Sequence, residues 1–180
     1  MGNPILYPVN LRIAGRRCLV FGGGRVAARK IYKLLLREAT VCVVSPQVCE
    51  EIRLSAEAGS IEWVARGYRE SDLDGAFLVF AATNDRGVQG EITGQAKSRG
   101  ILLNSADSPE SSDFHVPASV RRGDLLISGS TSGGSPALSA RIKHQLLEEF
   151  GPEYGVLIAF MSKIRKQLVG GSLPPEKNRE

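Results

Sequence analysis

Residues 18–36 read CLVFGGGRVAARKIYKLLL. A short apolar run, Cys18–Phe21, breaks at three consecutive glycines, and a basic amphipathic run follows. The first part has the composition of a buried strand and the last part the periodicity of a helix. Val26, Ala27, Ile31, Leu34 and Leu35 would line one helix face, with Arg25, Arg29, Lys33 and Arg37 elsewhere. Between strand and helix stands Gly22-x-Gly24-x-x-Ala27. Gly22 permits a tight turn, Gly24 lets main chain approach a pyrophosphate, and Ala27 lets the helix pack close to the strand. A helix starting there turns free N–H groups and a positive dipole end toward an anion. The same glycines also suit a plain strand–helix turn, so the surrounding chain has to decide.

It does so by repetition. Strands are expected over 17–22, 40–46, 61–65, 76–83 and 101–106, and helices over 25–37, 48–59 and 85–100. Gly59 is placed to end the second helix in a left-handed cap, and a turn or short helix falls at Ser71–Gly75. Glycines 87, 90 and 94 weaken the third helix. The strands are continuously apolar, as expected of a parallel sheet covered on both faces by helices. The pattern is doubly wound, and ligands of such sheets sit where the strand C-termini open at a topological switch point.

After Ala106 the pattern changes. A polar loop leads to two strand-like runs, HVPASV and DLLISGST, around a turn at Arg122-Gly123-Asp124. Helices follow over 135–151, with Ser135 as N-cap, Pro136 at the first turn and Gly151 at the end, and over 152–171. Val156, Leu157, Phe160, Met161, Ile164 and Leu168 share one side of the last helix. A hairpin and two helices hold little core of their own and need a further surface to cover them. The expected division is 1–113 for the doubly wound domain, 114–150 for a dimerisation region, 151–170 for a C-terminal helix and 171–180 for a disordered tail.

The bulk properties narrow the function. The chain has 180 residues, 42% hydrophobic, with net charge +4 and a pI near 9.1. Basic residues are dispersed, with no arginine-rich arm and no aromatic–basic interleaving, which argues against nucleic acid and suits an anionic small molecule. Three cysteines without a CxxC pair read as reduced thiols of a cytoplasmic protein. The opening MGNPILYPVNL lacks the make-up of a signal peptide, position 6 is Leu where myristoylation wants Ser or Thr, and no apolar run approaches the roughly 18 residues of a membrane span. The histidines and cysteines show no metal-ligand spacing, so no bound metal is expected.

Within the cradle reading, the second strand ends Ser45-Pro46-Gln47. The dinucleotide fingerprint expects an acidic residue there for the ribose hydroxyls, or an arginine for a 2′-phosphate; the strand end carries neither, Ser45 or Gln47 could bond the ribose less strongly than a carboxylate, and the residues alone leave NAD and NADP open. Ala81-Ala82-Thr83-Asn84-Asp85 suits a floor under a nucleoside, and Thr83 or Asn84 equally suits a helix N-cap. Asp107 follows the fifth strand at the C-terminal edge of the sheet; it can open a turn or act as a base. His115 lies a few residues on, and the hydroxyl-rich run Ser128–Ser135 precedes a helix start.

Several segments, in this order and spacing, resemble the precorrin-2 dehydrogenase family, including the N-terminal half of siroheme synthase: YPVNL (7–11), GGGRVAARK (22–30), AATND (81–85), LNSADSPESSDFHVPA (103–118), RRGDLLIS (121–128) and GGSPALSARI (133–142). The resemblance covers about residues 5–150. It implies a Rossmann-like doubly wound sheet, a small α+β dimerisation region, C-terminal helices and a homodimer. It implies oxidation of precorrin-2 to sirohydrochlorin with NAD⁺, and, in some members, insertion of Fe²⁺ as a substrate to give siroheme; which of these this chain performs beyond the oxidation stays open. Asp107 matches the family's functional aspartate. NAD contacts map onto Gly22, Gly24, Arg25, Val26, Ser45, Pro46, Ala82 and Thr83. Asn104, His115, Ser130, Thr131 and Arg141 become candidates for holding the polycarboxylate substrate. Arg25 departs from the acidic residue that some members carry. The competing class is a nucleotide-sensing regulatory module without catalysis, which would have no use for Asp107 or for the SGGSP helix start.

Overall fold

β1 (Arg17–Phe21) is buried on both sides, and its pleat explains how. Cys18 and Val20 face one apolar cluster; Leu19 and Phe21 face another. β2 (Thr40–Val44) divides likewise, Val41 and Val43 against Cys42 and Val44, and β4 (Leu78–Ala81) places Leu78 and Phe80 opposite Val79 and Ala81. A strand with apolar residues at every position is stable only if both faces are covered. One cover comes from α1 (Arg25–Leu35) and α2 (Glu50–Glu57), through Ala27, Ile31, Leu34 and Ile52. The other comes from α3 (Arg86–Ser98), through Ile92 and Ala96, helped by Leu73 in a short 3-10 turn at Glu70–Leu73. β3 (Glu62–Val64) and β5 (Leu102–Ser105) complete a five-stranded sheet.

The strand order is β3-β2-β1-β4-β5, parallel throughout. The chain builds outward from β1 to β3, then crosses back to β4 on the other side of β1. The switch point therefore lies between the C-terminal ends of β1 and β4, where a doubly wound sheet opens a crevice. This is the Rossmann-like architecture expected from the sequence. Gly59, with φ +69, follows α2 as the left-handed residue foreseen there.

This computed structural model describes residues 5–106 and 108–170. The expected disordered tail over 171–180 lies outside the described residues. The chain divides between His115 and Val116 into two compact units. The second holds an antiparallel pair, β6 (Ala118–Arg122) and β7 (Leu125–Gly129), with α4 (Pro136–Glu149) and α5 (Glu153–Gly170). Ser135 caps α4 through its hydroxyl, which accepts the Leu138 N–H at 3.2 Å. The Arg122 guanidinium donates to the Phe150 carbonyl at 2.8 Å and so ties the hairpin to the end of α4. Among the described residues of this unit only Val120 is a fully buried hydrophobic. Along α5, Val156, Phe160, Met161 and Leu168 each leave more than half of their surface exposed.

Candidate functional site

Three successive glycines do three different things at the switch point. Gly22 has φ +119, a left-handed geometry that disfavours any side chain. A Cβ there would also come inside 3.0 Å of the Ala82 carbonyl. The close approach lets the Ala82 N–H donate to the Phe21 carbonyl at 2.8 Å, while the Gly22 N–H donates to Val44 at 3.2 Å. Gly23 is squeezed from the other side: a Cβ would strike the Gln47 carbonyl, and the Cys49 N–H donates to the Gly23 carbonyl at 2.7 Å. At Gly24 a Cβ would meet nothing within 4 Å. Two glycines pin the turn between β4 and the β2–α2 connection, and the third leaves a bare face toward open space.

That space is a cleft of about 420 Å³, lined by the 22–26 turn, Ser45, the 82–85 segment and Ala106. Its floor is electropositive. α1 begins at Gly24 with no side-chain cap and no acidic residue in its first turn, so its leading N–H groups remain available to a ligand. α3 begins at the same rim but is closed, since the Asp85 carboxylate accepts the N–H groups of Gly87 at 2.9 Å and Val88 at 3.1 Å. Asp85, rather than Thr83 or Asn84, is thus the cap of that helix. It is also the carboxylate found among the described lining residues, and it is already committed. Ser45 is held rigidly: its N–H donates to Val64, its hydroxyl donates to the Gln47 carbonyl at 2.7 Å, and its carbonyl accepts the Trp63 indole N–H at 3.0 Å. The hydroxyl oxygen keeps the ability to accept a further hydrogen bond. A pyrophosphate with a nucleoside on each side fits this donor set.

Of the cofactor residues read from the sequence, Gly22, Gly24, Arg25, Val26, Ser45, Ala82 and Thr83 line this one cleft. Pro46 sits exposed directly after Ser45 and is not part of the lining. Gly23, Asn84, Asp85 and Ala106 join them. Gly23 could have been suspected from the run of three glycines. Its partner, the Gln47 carbonyl, is a main-chain atom that leaves no mark in sequence.

Asp107 lies outside the described residues. Its flanks are well anchored. Ala106 lines the cleft, and its N–H donates to Ala81 at 2.9 Å. Farther on, the Asp113 carboxylate accepts the Leu103 N–H at 2.9 Å, the Asp113 N–H donates to Leu103 at 2.8 Å, and the Ser112 hydroxyl accepts the Ser105 N–H at 2.9 Å. These bonds satisfy the free edge of β5 in place of another strand. Asn104 is engaged inside the unit: its amide oxygen accepts from the Lys30 ammonium at 2.9 Å, and its amide N–H donates to the Phe114 carbonyl at 2.9 Å. Lys30 also lies over the Phe80 ring, and burial pulls its pKa below the ordinary lysine value. His115 is half-buried, its Nε2 3.4 Å from the Pro109 carbonyl.

The remaining candidates fall in the second unit. The Thr131 hydroxyl is occupied by the Ser135 main chain and the Ser139 hydroxyl, and the Ser130 hydroxyl accepts the Ser132 N–H at 3.1 Å. Arg141 is exposed on α4. Cys18 and Cys42 are buried, and burial pushes both thiols up to about 11, so neither is a nucleophile near neutral pH. Among the described residues no group of three or more His, Cys, Asp or Glu could hold a metal ion, and no helix is long and apolar enough to cross a membrane.

The NAD(P)-binding family model NAD_binding_7 matches residues 9–118. The solved structure of SirC, precorrin-2 dehydrogenase, superposes with a TM-score of 0.82 at 30% identity, covering 96% of this chain and 85% of that one. The siroheme synthase of Methylobacillus flagellatus is 36% identical over 159 residues, and that of Thioalkalivibrio sulfidiphilus 38% over 160. Both matches cover 88% of this chain but 34% and 32% of those proteins. The chain therefore spans about a third of the length of the curated relatives it matches.

Proposed function

The chain belongs to the precorrin-2 dehydrogenase family, and from this and the NAD(P)-binding match over residues 9–118 we propose that it oxidises precorrin-2 to sirohydrochlorin with NAD⁺. The observation that carries the reading is the open face of Gly24 beside the uncapped start of α1, at the β1–β4 switch point. When bound, NAD⁺ supplies an acceptor for the hydride that leaves a ring carbon of the substrate. The chain supplies the rest. The first-turn N–H groups of α1 and the Arg25 guanidinium hold the pyrophosphate, and Ser45 takes one nucleoside end. Ala82 and Thr83 support the other, near Ala106. Asp107, next in sequence, accepts the proton that the substrate loses with the hydride.

The exposed apolar side chains of α5 and the small core of the second unit support a homodimer, formed through residues 114–170. Ser130, Thr131 and Arg141 are the candidates there for holding substrate carboxylates. Fe²⁺ would enter only as a substrate. The free thiols of Cys18, Cys42 and Cys49 suit the reducing cytoplasm. Anaerobic mixing of the purified protein with precorrin-2 and NAD⁺ is expected to produce the sirohydrochlorin absorbance together with NADH. An unchanged spectrum with competent substrate would overturn the assignment, and sedimentation at monomer mass would overturn the dimer.

A further inference from the structure

We propose that Trp63 is a positioning residue for the adenosine ribose: through the main chain of Ser45 it holds that residue's hydroxyl oxygen as an acceptor for one ribose hydroxyl. The inference rests on the dinucleotide reading of the cleft and concerns how its β2 end reads a nucleoside. In a doubly wound sheet the adenosine ribose comes to the end of the second strand, where a carboxylate ordinarily accepts its hydroxyl protons. Here that strand end is Ser45-Pro46-Gln47, with no acidic side chain. The task falls to Ser45, which is 7% exposed and forms part of the cleft wall. A serine hydroxyl has one proton to give and two lone pairs. The Ser45 proton is spent on the Gln47 carbonyl at 2.7 Å. What the oxygen offers a ligand is therefore acceptance alone, the polarity of a carboxylate without its charge.

A serine side chain has a single heavy-atom torsion, so the main chain beneath it decides where its oxygen stands. The register between β2 and β3 ends at Val44 with Val64, and Ser45 lies one residue beyond it. The Ser45 N–H still reaches the Val64 carbonyl at 3.2 Å. The Ser45 carbonyl takes its donor from a side chain instead, the Trp63 indole N–H at 3.0 Å. Trp63 sits inside β3, half-buried, and packs against the apolar cluster that includes Val41, Val43 and Ile52. It is not among the lining residues. Its ring is thus anchored in the core while its N–H fixes the peptide that follows the last strand pair. Gln47, the acceptor of the Ser45 proton, is fixed from the other side, where its carbonyl presses on Gly23. Indole, serine and Gln47 carbonyl form one line of bonds from the edge strand to the glycine turn, and the ligand meets it at the Ser45 oxygen.

Calorimetric titration with 5′-AMP, 2′-deoxy-AMP and 3′-deoxy-AMP tests this without turnover. 5′-AMP is expected to bind about fivefold or more tighter than at least one of the deoxy analogues, the worth of one hydrogen bond. Trp63→Phe keeps an aromatic ring and removes the N–H. It is expected to cut that preference to about twofold or less, and Ser45→Ala to do the same. In the full reaction Trp63→Phe is expected to raise KM for NAD⁺ and leave kcat at saturation unchanged, because the nicotinamide end is untouched. Trp63 is the single tryptophan of the chain, so its emission gives a check that needs no variant. Wild-type emission is expected to change on binding 5′-AMP and not on binding nicotinamide mononucleotide. The inference fails if Trp63→Phe weakens all three adenine nucleotides equally or keeps the wild-type preference, since the indole then serves the sheet alone. It fails also if bound 5′-AMP leaves the emission unchanged. Absence of binding by 5′-AMP and NAD⁺ alike, with the wild-type protein folded, overturns the dinucleotide cleft itself.

Discussion

Gly24→Asp is expected to weaken NAD⁺ binding by at least about 100-fold while leaving the fold as stable as before or slightly more so. Gly24 is the N-cap of α1, with φ −87 and ψ −176, a conformation that any residue adopts. Its Cβ would enter open space. Aspartate is among the best N-cap residues, gaining a few tenths of a kcal/mol over glycine by accepting the first-turn N–H groups. It would therefore occupy with its own carboxylate the site that a pyrophosphate needs. Titration calorimetry reads the binding, and thermal unfolding reads the stability. Retained affinity would show that the ligand lies elsewhere. Gly23→Ala supplies the contrast. Its Cβ would collide with the Gln47 main chain, which cannot swing aside as a side chain can, and the expected loss is about 3 kcal/mol or more of stability. Neighbouring glycines thus separate a functional requirement from a structural one.

Asp107→Asn is expected to lower kcat by about 10²- to 10⁴-fold, the usual contribution of a positioned general base, with the Kd for NAD⁺ unchanged. The amide preserves size and turn-forming ability but cannot accept the proton. The pH dependence of kcat should lose its acidic limb in the variant, since that limb reports the carboxylate in the loaded enzyme. Stopped-flow absorbance under anaerobic conditions gives both quantities. Wild-type turnover would return the Asp-Ser-Pro segment to the role of a turn opener.

Much of this site is legible along the chain because its logic is local. The strand, the glycine turn and the helix of residues 17–35 form one continuous stretch, and each residue's task follows from its immediate neighbours. Ala27 illustrates the limit of that logic: its small side chain announces close packing, which its complete burial bears out. Val26, grouped with the buried face by periodicity, is instead 39% exposed at the cleft, because the first turn of a helix at a switch point has no layer above it. The cap of α3 is Asp85, one or two residues beyond the Thr83 or Asn84 that the sequence offers. Thr83, Asn84 and Asp85 are all good caps, and only the path of the chain out of β4 chooses among them.

The amino-acid sequence by itself determined the alternation of strands and helices, the double burial of the sheet and the place of the glycine turn, since periodicity and glycine geometry act over a few residues. Tertiary structure decided the rest. It made Gly22 and Gly23 indispensable for different reasons, through the Ala82 and Gln47 carbonyls that press on them. It also committed the Asn104 amide to Lys30 and Phe114. Those decisions depend on which main-chain atoms come together from distant segments, and a carbonyl oxygen, being the same in every residue, carries no signature that a sequence could display.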